Sequence, residues 1–203
     1  MSKRYIAIAG NIGSGKSSLV DFLCREYKLK PFFEPNDINP FLDDFYKDMK
    51  RWAFHSQIFF LAQRFRMHKE LERVPEVVVQ DRTIYEDAEV FCTNLFKSGL
   101  MEKRDYRTYM DMYNAFKEQL TPPTLMIYLE CSRKSLRKRI ARRGRKSEKS
   151  VPDEYIKKLE VLYKKWVKGY NLSPIITIST EKYDYLEDFI SRQEIEKAIK
   201  KYL

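Results

Sequence analysis

Gly10-Asn11-Ile12-Gly13-Ser14-Gly15-Lys16-Ser17 is the stretch from which the fold can be read. It fits the pattern Gly, four residues, Gly-Lys-Ser/Thr. Before it runs Tyr5-Ile6-Ala7-Ile8-Ala9, short, apolar and β-prone; after it runs Ser18-Leu19-Val20-Asp21-Phe22-Leu23, with helical spacing. Strand, glycine loop and helix together form a phosphate cradle. The glycines let backbone N–H groups turn inward, and the helix N-terminus adds the positive end of its dipole. In such a loop Lys16 reaches the β- and γ-phosphates and the Ser17 hydroxyl ligates Mg²⁺. The pattern implies a nucleoside triphosphate and is silent on what receives the phosphate.

Outward from this loop, short apolar runs alternate with longer helical patterns, which implies a parallel sheet with helices on both faces. Strands are expected at Tyr5–Ala9, Lys30–Phe33, Val77–Gln80, Leu125–Leu129 and Ile175–Ser179, giving an α/β fold around a central five-stranded parallel sheet. Helices are expected over 15–28, 39–50, 52–73, 84–98, 104–120, 132–142, 153–169 and 184–201. There is no internal repeat and no linker long enough to divide the chain, so residues 1–203 are expected to form one domain.

In an open parallel sheet, ligands sit outside the carboxyl ends of the strands. The second expected strand ends in Glu34-Pro35 and the third in Asp81-Arg82-Thr83. A carboxylate, then a carboxylate with an arginine, therefore arrive at the edge that holds the triphosphate. Asp81 fits a metal-site acid beside Ser17. Glu34 can accept a proton from an acceptor hydroxyl, and Arg82 can stabilise charge on the transferring group or orient Glu34. Each acid alone reads better as a solvated loop residue; it is the convergence of two strand ends on one site that favours the functional reading.

The net charge of +10 would suggest nucleic acid if it were evenly spread. Residues 133–149, however, hold ten Lys/Arg and one acid, leaving 29 basic and 28 acidic side chains elsewhere. Arg133 to Arg143 reads as a helix with Leu136 and Ile140 on its buried side. Arg139 and Arg143 share a face, Gly144 breaks the helix, and Arg145 follows. This pattern, about residues 139–150, reads as an Arg-rich lid that closes over a triphosphate. The segment has no interleaved aromatics for base stacking, so no nucleic-acid partner is expected. No run approaches membrane length, and Cys24, Cys92 and Cys131 are odd in number, far apart and in apolar settings. Reduced thiols, a cytoplasmic location and no membrane partner follow as expectations.

From Tyr5 to about Tyr183 the chain resembles the deoxyribonucleoside kinases, most of all the small bacterial deoxyadenosine/deoxyguanosine enzymes. The resemblance rests on an ordered set: Gly10 to Ser17, Glu34-Pro35, a helix carrying Gln57 and Arg64, Asp81-Arg82-Thr83 with Asp87 and Phe91, and Arg139-x-x-x-Arg143-Gly144-Arg145 with Glu148. It implies a P-loop kinase fold and transfer of the ATP γ-phosphate to a deoxynucleoside 5′-hydroxyl in nucleotide salvage, with Mg²⁺ as cofactor. It implies Glu34 as general base, Arg82 and Lys16 at the phosphates, and Arg139, Arg143 and Arg145 on ATP. It further places Tyr46 and Glu148 on the sugar 3′-hydroxyl, Gln57, Arg64 and Asp87 on the base edge, and Phe91 packed on the base. Relatives are commonly dimers, so a homodimer is expected. Two departures stand out: Asn39 replaces a tryptophan frequent in the animal enzymes, and Thr83 replaces a frequent serine.

An Arg64/Asp87 pair suits a base with an amino group beside a ring nitrogen. Adenine, guanine and cytosine qualify and thymine is less favoured. The lean to a purine comes from the bacterial resemblance alone, with deoxycytidine kept open. Two alternatives stand beside this. A thymidylate-type monophosphate kinase shares the loop and the Asp-Arg turn, but places an arginine where Phe33 stands here. An ATP-dependent nucleic-acid-binding protein would use the basic segment as a docking surface.

Overall fold

The computed structural model describes residues 4–33, 38–145, 151–181 and 189–202. Five parallel strands, β1 (Tyr5–Gly10), β2 (Lys30–Phe32), β3 (Val78–Asp81), β4 (Leu125–Glu130) and β5 (Ile175–Ser179), form one sheet in the order β2-β3-β1-β4-β5. All five expected strands are present, within a residue at each end. β1 is central and buried along its whole length, hence its unbroken apolar run.

Side chains alternate across β1. Ile6 and Ile8 face a cluster with Val79, Ile127 and Leu129 and with Leu19, Val20 and Leu23 of α1 (Lys16–Tyr27); α9 (Phe189–Ile199) closes this side with Ile195 and Ile199. Tyr5, Ala7 and Ala9 face the larger layer. That layer contains α2 (Leu42–Lys47), α3 (Met49–Arg73), α6 (Lys103–Lys117), α7 (Arg133–Arg143) and α8 (Asp153–Gly169). Alanines at 7 and 9 keep the sheet surface low there, which leaves room for side chains and ligand above it.

The stretch expected as one helix over 84–98 is divided. A turn α4 (Ile84–Glu86) leads into a π-helical segment (Asp87–Cys92) and then α5 (Thr93–Lys97). In the wider i→i+5 bonding the Thr93 N–H reaches the Ala88 carbonyl, which also accepts from the Thr93 hydroxyl at 3.1 Å. Both Asp87 and Phe91, expected to share a helix face, lie in this segment. The three cysteines are free thiols. No helix among the described residues is long and apolar enough to cross a membrane.

Candidate active site

The phosphate loop leaves β1 at Gly10, whose φ of +155° is accompanied by a close approach. A Cβ there would lie 2.5 Å from Ser14 Oγ and 3.1 Å from the Leu129 carbonyl. Gly13, at φ +80°, presses against α7, where a Cβ would meet Ile140 Cγ1 at 2.9 Å and the Leu136 carbonyl at 3.0 Å. The loop and α7 are therefore in close contact, with Leu136 and Ile140 buried as expected. Asn11 pins the loop from the other side. Its Nδ2 donates to the Ile156 carbonyl on α8 at 3.1 Å, and its Oδ1 accepts from Ile12 N–H at 2.8 Å. Lys16 is buried, with Nζ 3.3 Å from the Asn11 carbonyl.

The pairing of β1 with β3 sets Ile8 opposite Asp81, so the end of β3 arrives beside the loop. The Ser17 hydroxyl donates to Asp81 Oδ2 at 2.6 Å, and Asp81 Oδ1 is buried with no hydrogen-bond partner among the described residues. A hydroxyl and a carboxylate in contact at the mouth of a phosphate loop, with a carboxylate oxygen to spare, fit a hard divalent cation such as Mg²⁺.

Arg82 sits at φ +63°, a left-handed conformation that costs a non-glycine residue about 1–2 kcal/mol. Its N–H donates to the Ile8 carbonyl at 3.0 Å, which holds the turn. The turn aims its guanidinium back toward the loop: Nη2 donates to the Gly10 carbonyl at 3.4 Å, and the group lies 4.3 Å over the Phe91 ring. Nε lies 3.7 Å from Glu86 Oε1. Burial pushes the Glu86 carboxyl up, to about 7, while Arg82 and Lys16 pull the other way. Phe91, expected to pack on the base, is thus also the platform for Arg82.

A polar pair lies inside the apolar layer beside the end of β3. Arg64 Nε donates to Asp87 Oδ2 at 2.9 Å and Nη1 donates to the Asp81 carbonyl at 3.1 Å. The Arg64 side chain is fully buried and that of Asp87 is 7% exposed. Gln57, two turns before Arg64 on α3, is also buried, and its Oε1 has no partner among the described residues. The same holds for both amide atoms of Gln80, Thr83 Oγ1 and Glu86 Oε2. Unsatisfied buried polar atoms cost about 1–3 kcal/mol each, so a cluster of them around one strand end points to a ligand or bound water. Tyr46 is half-buried on α2, its ring 5.0 Å from that of Phe45.

Of the three arginines expected to form a lid, Arg139 has the most contacts described. Its guanidinium donates to the Ser14 carbonyl at 3.2 Å, to Thr180 Oγ1 at 2.8 Å and to the Thr180 carbonyl at 3.0 Å, bridging the phosphate loop and the end of β5. Arg143 is exposed at the end of α7 and Arg145 half-buried just beyond Gly144. Glu34 and Glu148 lie outside the described residues. β2 ends at Phe32, two positions before Glu34, paired with Gln80 beside Asp81.

The sequence assigns no role to Asn11 as a loop anchor, to Gln80 buried on β3 beside Asp81, or to Glu86 and Tyr163 beside Arg82. Only Asn11 carried a signal, as a polar residue inside the glycine loop.

A family model described as Deoxynucleoside kinase matches residues 6–203. The chain is 38% identical over 194 residues to the deoxyadenosine/deoxycytidine kinase of Bacillus subtilis (strain 168), covering 94% of this chain and 88% of that protein. It is 35% identical over 197 residues to the deoxyadenosine kinase of Dictyostelium discoideum, covering 97% of this chain and 78% of that one. Among solved structures, deoxyadenosine kinase from M. mycoides with bound dCTP superposes with a TM-score of 0.83 at 29% identity, covering 98% of this chain and 100% of that one.

Proposed function

The chain belongs to the deoxynucleoside kinase family, and from that premise we propose that it transfers the ATP γ-phosphate to the 5′-hydroxyl of a purine deoxynucleoside, deoxyadenosine foremost, with deoxycytidine as the second substrate. The meeting of two half-sites at the end of β3 carries this, where Asp81 accepts from Ser17 through its carboxylate and from Arg64 through its carbonyl. On one side lie the loop, Lys16 and the Ser17–Asp81 contact; on the other lie Arg64 and Asp87, a donor–acceptor pair suited to an amino group beside a ring nitrogen. Relatives named for deoxyadenosine, deoxycytidine and deoxyguanosine support the same range. Family membership sets aside the monophosphate-kinase and nucleic-acid alternatives. At the position where the former would need an arginine, Phe33 is 44% exposed.

In this proposal Lys16 and the loop amides hold the triphosphate, while Arg82 offsets charge on the group in flight. Glu34 takes the proton of the 5′-hydroxyl as it attacks. Ser17 and Asp81 would hold Mg²⁺, which would supply positive charge to offset that of the triphosphate. Gln57, Arg64 and Asp87 hold the base edge, Tyr46 and Glu148 the sugar 3′-hydroxyl, and Phe91 the base face. Arg139, Arg143 and Arg145 cover the nucleotide. A homodimer is proposed through α2 and α3, where α3 carries half-buried Ile58, Phe59, Phe60 and Phe65; sedimentation at micromolar concentration checks it.

The test is ADP release with ATP and Mg²⁺ against deoxyadenosine, deoxyguanosine, deoxycytidine, thymidine and thymidine monophosphate. A purine deoxynucleoside is expected to give the highest kcat/KM. Thymidine as best substrate would refute the reading of Arg64 and Asp87, and turnover of the monophosphate alone would refute the acceptor assignment. Glu34→Gln is expected to keep nucleoside binding and lower kcat at least about hundredfold; near-normal turnover removes Glu34 as the base.

A further inference from the structure

One buried carboxyl beside this site has no role in the reaction just described. Glu86 is fully buried, and its Oε1 lies 2.9 Å from the Tyr163 hydroxyl and 3.7 Å from Arg82 Nε. The same hydroxyl lies 3.0 Å from the Gly10 carbonyl, which also accepts from Arg82 Nη2. Glu86, Tyr163, Gly10 and Arg82 therefore close a ring that joins β1, the turn after β3, and α8. Phe91 seals it, stacked below the guanidinium and edge-on to Tyr163 with centroids 6.1 Å apart.

We propose that Glu86 is a positioning residue for phosphoryl transfer, holding the Arg82 guanidinium against the first residue of the phosphate loop through a ring closed by Tyr163. This rests on the kinase reading in so far as Arg82 acts on the transferring group.

Counting protons shows why the carboxyl matters. A phenol has one hydrogen and Tyr163 has two acceptors in reach. With Glu86 ionised, Tyr163 donates to Oε1, the carboxylate faces Arg82, and Arg82 serves the Gly10 carbonyl. With Glu86 protonated, the carboxyl donates to Tyr163, Tyr163 turns to Gly10, and Arg82 loses its counter-charge. The groups that face Glu86 are Lys16 from α1, Arg82 from the turn after β3, Asp87 from the π-helical segment, Tyr163 from α8, Tyr170 just after α8 and Tyr128 from β4. The first two favour the ionised, Arg82-holding form and Asp87 opposes it, as does burial. A surface acid could not do this, because solvent would screen it from the guanidinium. The strained backbone of Arg82 fits the same picture: a side chain set at φ +63° is kept in place by its neighbours on every side.

The experiment is Glu86→Gln, which keeps the shape and removes the charge, read in two ways. In steady-state assays kcat is expected to fall about tenfold or more while the deoxynucleoside KM stays within roughly twofold. In an arginine-selective ¹H–¹⁵N spectrum of the ligand-free protein, the Arg82 Nε–H is expected to exchange with solvent at least about tenfold faster than in wild type. Either quantity remaining at its wild-type value overturns the proposal. Should E86Q fail to fold, Tyr163→Phe removes one hydroxyl from the ring and carries the same two readouts, with the same expectations. If the wild type turned over no deoxynucleoside, the kinase reading would fall, while the exchange rate would still decide whether Glu86 holds Arg82.

Discussion

The Arg64–Asp87 pair allows a prediction whose size follows from its surroundings. Both side chains are out of water and their charged atoms are 2.9 Å apart. At an effective dielectric near 20, an attraction at about 3 Å is worth roughly 5 kcal/mol. Desolvating each ion costs several kcal/mol, so the intact pair contributes little net stability. Removing one member is another matter. Asp87→Ala leaves a fully buried guanidinium beside the Asp81 carbonyl without its carboxylate. The expected loss is about 3–5 kcal/mol, against a total stability of about 5–15 kcal/mol for a typical domain. Arg64→Met should cost a similar amount by taking the arginine from a buried acid. The double variant Arg64→Met/Asp87→Leu, which strands neither charge, should lie within about 1–2 kcal/mol of wild type. Urea unfolding of all four proteins, followed by tryptophan fluorescence, measures this cycle, provided the m-values agree. Two additive single changes of less than about 1 kcal/mol each would refute the reasoning. The pair would then be wet or loosely held, and could not present the fixed donor–acceptor edge that its proposed part in base recognition requires.

Two further outcomes are expected. Gly13→Ala places a methyl against Ile140 and the Leu136 carbonyl at φ +80°, so the loop must shift off α7. The KM for ATP should rise at least about tenfold, at a stability cost of about 1–2 kcal/mol or more; unchanged ATP kinetics would mean the loop is not held by that helix. His68 donates from Nε2 to the Thr121 carbonyl at 3.0 Å, and burial lowers its pKa to about 4. Between that value and the unfolded 6.5 the unfolded chain binds more protons, so the His68 contribution is lost as pH falls through this window, by about 2 kcal/mol at pH 5. Glu86 acts oppositely, since its raised pKa lets the folded state take up a proton in the same range. The quantity to measure is therefore the difference between wild type and His68→Gln from pH 7.5 to 5. A difference that stays constant with pH would show that His68 is not held neutral.

The phosphate loop, the five strands and helix α7 were legible because each is written locally, in glycine spacing, an apolar run or a 3.6-residue stripe. The approach of Asp81 to Ser17 was legible at one remove. It needs only that β1 and β3 be neighbours, and a parallel sheet with its ligand edge at the strand ends makes that a small step. What stayed hidden depends on contacts that no local pattern encodes. Glu86 in Thr83-Ile84-Tyr85-Glu86-Asp87 reads as a solvated helix acid; its burial is decided by Tyr163, 77 residues later. Arg82 offers no sign of its positive φ, because β-strand ladder bonding and the carbonyls of β1, rather than its own preference, set it. The spacing of Asp87 and Phe91 indicated a shared face but not the π-helical bonding, in which the Thr93 N–H and hydroxyl both reach the Ala88 carbonyl. These are all places where local propensity and tertiary demand disagree, and all of them adjoin the strand end where the transfer is proposed to occur. Such disagreement is expected where a site needs strained backbone and buried charge that a plain fold would avoid. On that ground Arg82 and Glu86, the two residues least explained by local sequence, belong among the first to be mutated.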